Sequence, residues 1–267
     1  MVSPGTTLAE ACIAVLETAD PHAKAMAARK VARDWRLGRL AHEFNAMPPA
    51  RPARPNRPEL LPPNRMPKRG KGGSERARIA LIHALAHIEF VAIDLAIDLV
   101  ARFGSDYPRS FADDWLRVGA DEAMHFALLD RRLKELGSCY GALPAHDGLW
   151  EAAAETAHDG AARLAIVPLV LEARALDITP QTIARFTAFG DEKTARSLTR
   201  IMSDEVFHVR AGTKWFIWTM NRVGANPQES YQILVNRHFR GRLKPPFNDS
   251  ARSQAGLTRD FYEPLAG

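Results

Sequence analysis

Apolar residues recur at helical spacing along most of the chain. Leu8, Ala11, Cys12, Val15 and Leu16 form a short stripe with a period of about 3.6 residues. Asp20-Pro21 then predicts a second helix start, with Asp20 as N-cap and Pro21 in the first helical position. That helix carries Ala27, Val31 and Trp35, and Gly38 ends it. Ser74 to Gly104 reads as one long helix, capped by Ser74 and closed by Gly104 just past its end. Asp106-Tyr107-Pro108 opens the next, which stops at Leu136-Gly137 before a crossover loop, Ser138 to Asp147. Trp150 to Ala157 is either a short helix or the first turns of a third long one. Pro168 should kink that third helix, because proline lacks the backbone N–H and crowds the preceding turn. Thr179-Pro180 repeats the cap-then-proline signal and predicts a separate short helix over 180–189. A further long helix is expected over about 191–222, before Gly224, and another from Pro227 to Arg237. Trp215, Phe216 and Trp218 read as core and interface packing. Phe261 and Tyr262 predict a tail that docks.

The fold class is therefore all-α. The expected organisation is an N-terminal helical extension (1–45), a Pro/Arg-rich linker (46–73), a four-helix bundle (74–223), and a C-terminal helix with a docking tail (224–267). The linker holds eight prolines between Pro48 and Pro67, which deny it a helix. Arg51, Arg54, Arg57, Arg65, Lys68, Arg69 and Lys71 face a single acid, Glu59. This is read as a solvated linker draped over the bundle, with contact to a phosphate-rich substrate or RNA as the weaker alternative.

Polar residues inside the apolar stripes carry the chemistry. Asp204-Glu205-Val206-Phe207-His208 is echoed by Asp121-Glu122-Ala123-Met124-His125. Glu and His three apart on a helix lie about 60° apart on one face, so both are able to hold one metal ion. Glu89 stands 33 residues before Glu122, and Glu172 stands 33 before Glu205. The two copies are offset by 83 residues, and Asp94 maps onto Asp177, Ile88 onto Leu171 and Leu95 onto Ile178. Two helical hairpins related by an approximate two-fold are predicted. Glu89 and Glu172 lie among aliphatic residues, where a carboxylate is rarely tolerated unless paired or bound to metal. His83 and His87 fall off the Glu89 face and read as packing or hydrogen-bonding residues. Asp94 and Asp98 share another stripe, either a buried polar pairing or an exposed face.

Glu89, then Glu122-x-x-His125, then Glu172, then Glu205-x-x-His208, on four helices, resembles the ferritin-like di-iron carboxylate superfamily. The flanks, Asp20-Pro21 through Trp35-Arg36-Leu37-Gly38 and Gly241 through Asn248, are similar to an uncharacterised bacterial ferritin-like family. That family is distantly similar to the tRNA-modifying di-iron hydroxylase. The resemblance implies a ferritin-like bundle with two iron ions, manganese or a mixed manganese/iron pair being compatible with the same donors. It implies that Glu122 and Glu205 bridge or flank the ions, that Glu89 and Glu172 each bind one, and that His125 and His208 supply nitrogens. Asp121 and Asp204 would each accept the free ring N–H of the histidine in the opposite motif. The implied activity is an oxygen-dependent, hydroxylase-type oxidoreductase with an unidentified substrate and electron donor. Ferroxidase, peroxide-scavenging or iron-handling activity is the alternative, and a metal-binding scaffold without catalysis the third.

The remaining features narrow the setting. Two cysteines, Cys12 and Cys139, are far apart and lack metal-type spacing, which fits a reducing cytoplasm. The start has no basic region of the secretory kind, and no apolar run of about 20 residues is evident, so no membrane partner is expected. The net charge of +5 is too small to decide a partner. Oligomeric state is open, a dimer being one option.

Overall fold

Thr7 and Glu10 cap the first helix reciprocally: the Thr7 hydroxyl accepts from Glu10 N and the Glu10 carboxylate accepts from Thr7 N. From this start the computed structural model, which describes residues 6–67 and 74–267, is all-α. Among the described residues the only extended pairings are isolated bridges, such as Leu60 with Ala145. Lys68, Arg69 and Lys71 of the basic stretch lie outside the described residues. The chain forms two compact units, one running to Trp150 and one spanning Glu151–Gly267.

In the first unit, α1 (Leu8–Leu16) and α2 (Pro21–Arg36) pack on the long hairpin α3 (Glu75–Phe103) and α4 (Arg109–Glu135). The predicted caps hold: Asp20 accepts from Ala23 N, Ser74 accepts from Ala77 N, and Gly38 closes α2 at a φ of +68°. Gly104 sits at the predicted end of α3 for a different reason. Its φ is −59°, and a side chain there would collide with the Phe44 ring.

From Glu89 to Ala101, α3 is buried on every face. An 18-residue window within Glu75–Asp106 has a mean hydropathy of 1.8, enough by length and composition to cross a membrane. This exceeds the apolar run expected above, but 67% of the window is buried inside the protein, as in a core helix. The helix also contains buried acids that are paired with cations. Asp94 receives Lys24 Nζ at 2.6 Å and is paired with Arg54. Lys24, itself fully buried, also donates to the carbonyls of Ala53 at 3.0 Å and Leu16 at 3.4 Å. Asp98 receives Arg102 at 2.7 Å. The polar-pairing option for Asp94 and Asp98 is the one realised.

The Pro-rich stretch is thus more than a solvated linker. Pro48, Pro52 and Pro58 are buried, Arg54 reaches Asp94, and Arg51 pairs with Asp147. A buried carboxylate needs its cations, so these pairs pin the segment to α3 and to the crossover loop.

The second unit holds α5 (Gly148–Glu155, entered from the first), α6 (Gly160–Ile166), a π-helical turn (Val167–Glu172), α7 (Ala173–Ala188) and α8 (Glu192–Arg222). α9 (Pro227–His238), α10 (Asp249–Gln254) and α11 (Arg259–Tyr262) follow, and α7 packs on α8. Asp191 caps α8 through Thr194 N. Pro168 causes the expected disturbance as a widened turn rather than a break, and Gly212 of α8 lets its ring approach closely.

The predicted helix start at Thr179-Pro180 is wrong: α7 runs through, with Pro180 inside it. Proline there removes the donor for Leu176 O, and the side-chain amide of Asn248 supplies one at 3.1 Å. Around it, Asp177 receives Arg252 in a two-pronged pair, 2.8 and 2.7 Å, and Asn248 N at 2.9 Å. Phe261 and Tyr262 are buried, so the tail docks as expected, though with two short helices. Trp215 and Phe216 are core residues.

Candidate metal centre

The buried stripe of α4 runs through Phe111, Trp115, Val118, Glu122, His125, Leu129 and Leu133. Its steps of three and four residues are those of a helix face against a core. Glu122 and His125 therefore occupy positions where apolar residues would stand, and both are inaccessible to solvent. Glu89 enters from the neighbouring α3 and is also buried. His125 Nδ1 lies 3.3 Å from a carboxylate oxygen of Glu89 and 3.3 Å from one of Glu122. Glu89, Glu122 and His125 each offer a ligand atom within 4.8 Å of the others, an arrangement able to hold a metal ion.

The electrostatics favour a cation here. Burial drives the Glu89 carboxyl well above the ordinary carboxylate range, and the charge of Glu122 pushes the same way. His125 opposes both but is one imidazole between two acids. Without a cation, two carboxylates this close and this dry do not both ionise cheaply. Two oxygen donors and one nitrogen donor suit iron or manganese. These three residues fit a single metal ion of the kind that the resemblance implies.

The second unit carries the repeated motif on α8, where the stripe runs through Thr194, Leu198, Ile201, Glu205, His208, Gly212 and Trp215. Glu205 and His208 are buried, with Glu205 Oε2 3.5 Å from His208 Nδ1. Glu172 ends the π-helical turn and is half-buried, unlike its counterpart Glu89. Asp204 receives Arg200 Nε at 2.7 Å, and Asp121 lies 3.8 Å from Arg117 Nε.

His83 and His87 act as the sequence suggested, by hydrogen bonding. His83 Nε2 accepts from Gly141 N at 3.0 Å, and His87 contacts Tyr140 and His146 of the crossover loop. Sequence reasoning missed Tyr140. No spacing rule flags a lone tyrosine in a loop, yet its ring packs on Phe90 and Phe126, the residues that follow Glu89 and His125.

Residues 17–263 match the family described as "Protein of unknown function (DUF455)". A Haemophilus influenzae protein described as "Uncharacterized protein" is 39% identical over 211 residues, covering 77% of this chain and 73% of the relative. No solved structure matches the chain.

Proposed function

The chain belongs to the DUF455 family, and we propose that it is a ferritin-like di-iron oxidoreductase of the hydroxylase type, working in the cytoplasm. The observation that carries this reading is the buried Glu89–Glu122–His125 cluster, three metal donors within 4.8 Å of one another in a core stripe. The repeat supports the rest: the same residue types recur at the same intervals as Glu172, Glu205 and His208.

In this proposal the two hairpins close as a ferritin-like bundle and hold two iron ions, with manganese or a mixed pair as alternatives. Glu89, Glu122 and His125 bind from one half, and Glu172, Glu205 and His208 from the other. A bound iron pair would supply the two electrons that dioxygen requires. The protein's share is to exclude water and to hold six side chains in place. Asp121 and Asp204 would accept the ring N–H of the opposite histidine, which fixes its tautomer and raises its basicity. An organic substrate and an electron donor complete the system. RNA loses support as a partner, because Arg51 and Arg54 are committed to internal acids.

The test is metal analysis of the purified protein beside Glu205→Ala and His208→Ala. Two transition-metal ions per chain, lost in both variants, are expected; a metal-free wild type that takes up no Fe(II) overturns the reading. Oxygen uptake that requires an added reductant separates an oxygenase from iron storage, in which Fe(II) alone drives uptake and mineral grows.

A further inference from the structure

A cavity of about 540 Å³ lies along the first turns of α3, where the crossover loop meets the helix. That volume suits a small molecule. Ile79, Ala80 and Ala84 of α3 line it, with Met66 ahead of the helix and Leu143 and Pro144 from the loop. Most of the lining is therefore apolar.

His83 is set into this lining and is only 1% exposed. Its Nε2 accepts from Gly141 N at 3.0 Å and from Leu143 N at 3.4 Å. Backbone N–H groups only donate, so Nε2 carries the lone pair and Nδ1 carries the hydrogen. Burial lowers the His83 pKa to about 4, so this neutral form persists near pH 7. Among the described residues Nδ1–H has no partner, yet it is not one of the unpaired nitrogens sealed inside the protein. The cavity that His83 lines is where this donor opens.

The other end of the cavity is also rich in donors. Ser74, Glu75, Arg76 and Ala77, the N-cap and first turn of α3, complete the lining there. The leading N–H groups of a helix have no intrahelical acceptor and carry the positive end of its dipole. Arg76 adds a full positive charge. Ser74 Oγ accepts from Ala77 N at 3.3 Å, which leaves its hydrogen to give. Glu75 is the one acid in the lining, and it is exposed to solvent. His83 stands eight residues after Glu75, about 12 Å along a helix.

We propose that this cavity binds an elongated organic acid, with its carboxylate at the first turn of α3 and Arg76, its chain along Ile79, Ala80 and Ala84, and a hydroxyl or carbonyl oxygen that accepts from His83 Nδ1–H. One arginine beside one exposed acid favours a singly charged head over a phosphate. An ammonium head would meet Glu75 alone against all of these donors. None of the lining residues is a proposed metal ligand, so the site stands whether or not the centre holds iron.

Isothermal titration calorimetry on the full-length protein tests this with ω-hydroxydecanoate, decanoate and decylamine, each below its micelle concentration. ω-Hydroxydecanoate is expected to bind saturably, and roughly two- to tenfold tighter than decanoate, the worth of one hydrogen bond. Decylamine should not bind. Absence of saturable ω-hydroxydecanoate binding, or a decylamine affinity equal to that of decanoate, overturns the proposal. Ala80→Phe fills the cavity from a half-buried position and should abolish binding; unchanged binding puts the acid elsewhere and sinks the site. Arg76→Gln, at the exposed start of α3, should weaken decanoate by about threefold or more. An unchanged affinity refutes the placement of the carboxylate. His83→Phe keeps a ring to stack on Tyr140 but has no N–H, and should erase the preference for the hydroxy acid. Thermal melting checks that this variant is folded, since it also releases the loop amides. A preference that survives in the folded variant refutes the role of His83.

Discussion

The side-chain amide of Asn248 donates to the carbonyl oxygen of Leu176 at 3.1 Å, taking the place of the N–H that Pro180 lacks. Asn248 also caps α10 through Ala251 N. Asn248→Ala should therefore cost roughly 2 kcal/mol, about half from the cap and half from the orphaned carbonyl. In a Pro180→Ala background the backbone N–H returns, and the cost of Asn248→Ala should shrink to the cap alone. Urea unfolding of the four variants gives the coupling; equal losses in both backgrounds would refute the repair.

Arg252 and Asp177 form a pair that is almost fully buried. Arg252→Ala leaves the Asp177 carboxylate only Arg174 at 3.4 Å and the Asn248 N–H, and should cost about 3 kcal/mol. The double variant Arg252→Met/Asp177→Leu removes both charges and should recover most of that loss. If the double variant is no more stable than the single, the penalty lies in packing against Phe247 and Tyr262, whose rings flank the guanidinium.

His83 and His87 both have pKa values lowered from 6.5 to about 4 by burial. The folded protein holds them neutral, whereas the unfolded chain takes up protons below about 6.5. Their contribution is complete above that pH and is lost as pH falls toward 4. The denaturation midpoint should drop between pH 7 and 5, and the drop should be smaller in His83→Asn. A pH response identical to that of the wild type would remove His83 from the account.

Gly212 admits the Pro168 ring, and a Cβ there would lie 2.5 and 2.6 Å from its Cβ and Cγ. The pyrrolidine cannot swing aside as a flexible side chain would. Gly212→Ala gains about 1 kcal/mol of helix propensity but faces an overpacking cost of about 1–3 kcal/mol. Net destabilisation is expected in thermal melts. A more stable variant would mean that the π-helical turn yields to the added methyl.

Local signals in the sequence were legible because local physics decides them. Asp20 and Ser74 cap helices where an N-cap residue precedes an apolar stripe. The carboxylate–imidazole pairs were legible because their spacing sets a shared face. Pro180 was misread because its repair comes from Asn248, 68 positions later in the chain. The partners of Asp94 were hidden for the same reason, since Lys24 and Arg54 lie 70 and 40 residues away. Gly104 stands where expected, but what requires a glycine there is the close approach of the Phe44 ring, which no turn rule contains. Tyr140 depends on a loop being folded back onto α3, and that is tertiary information.

Asp94 and Asp177 stand at matching places in the duplication, five residues after Glu89 and Glu172. Each takes its shortest ion pairs from outside the repeat, Asp94 from Lys24 and Arg54 and Asp177 from Arg252, with the repeat's own Arg174 farther from Asp177 at 3.4 Å. A gene trimmed to the repeat alone, residues 74–223, would encode a protein whose Asp94 is stranded in the interior and whose Asp177 keeps only Arg174. The terminal segments are keystones rather than ornaments, and neither end is free to be lost while the helices between them stay folded.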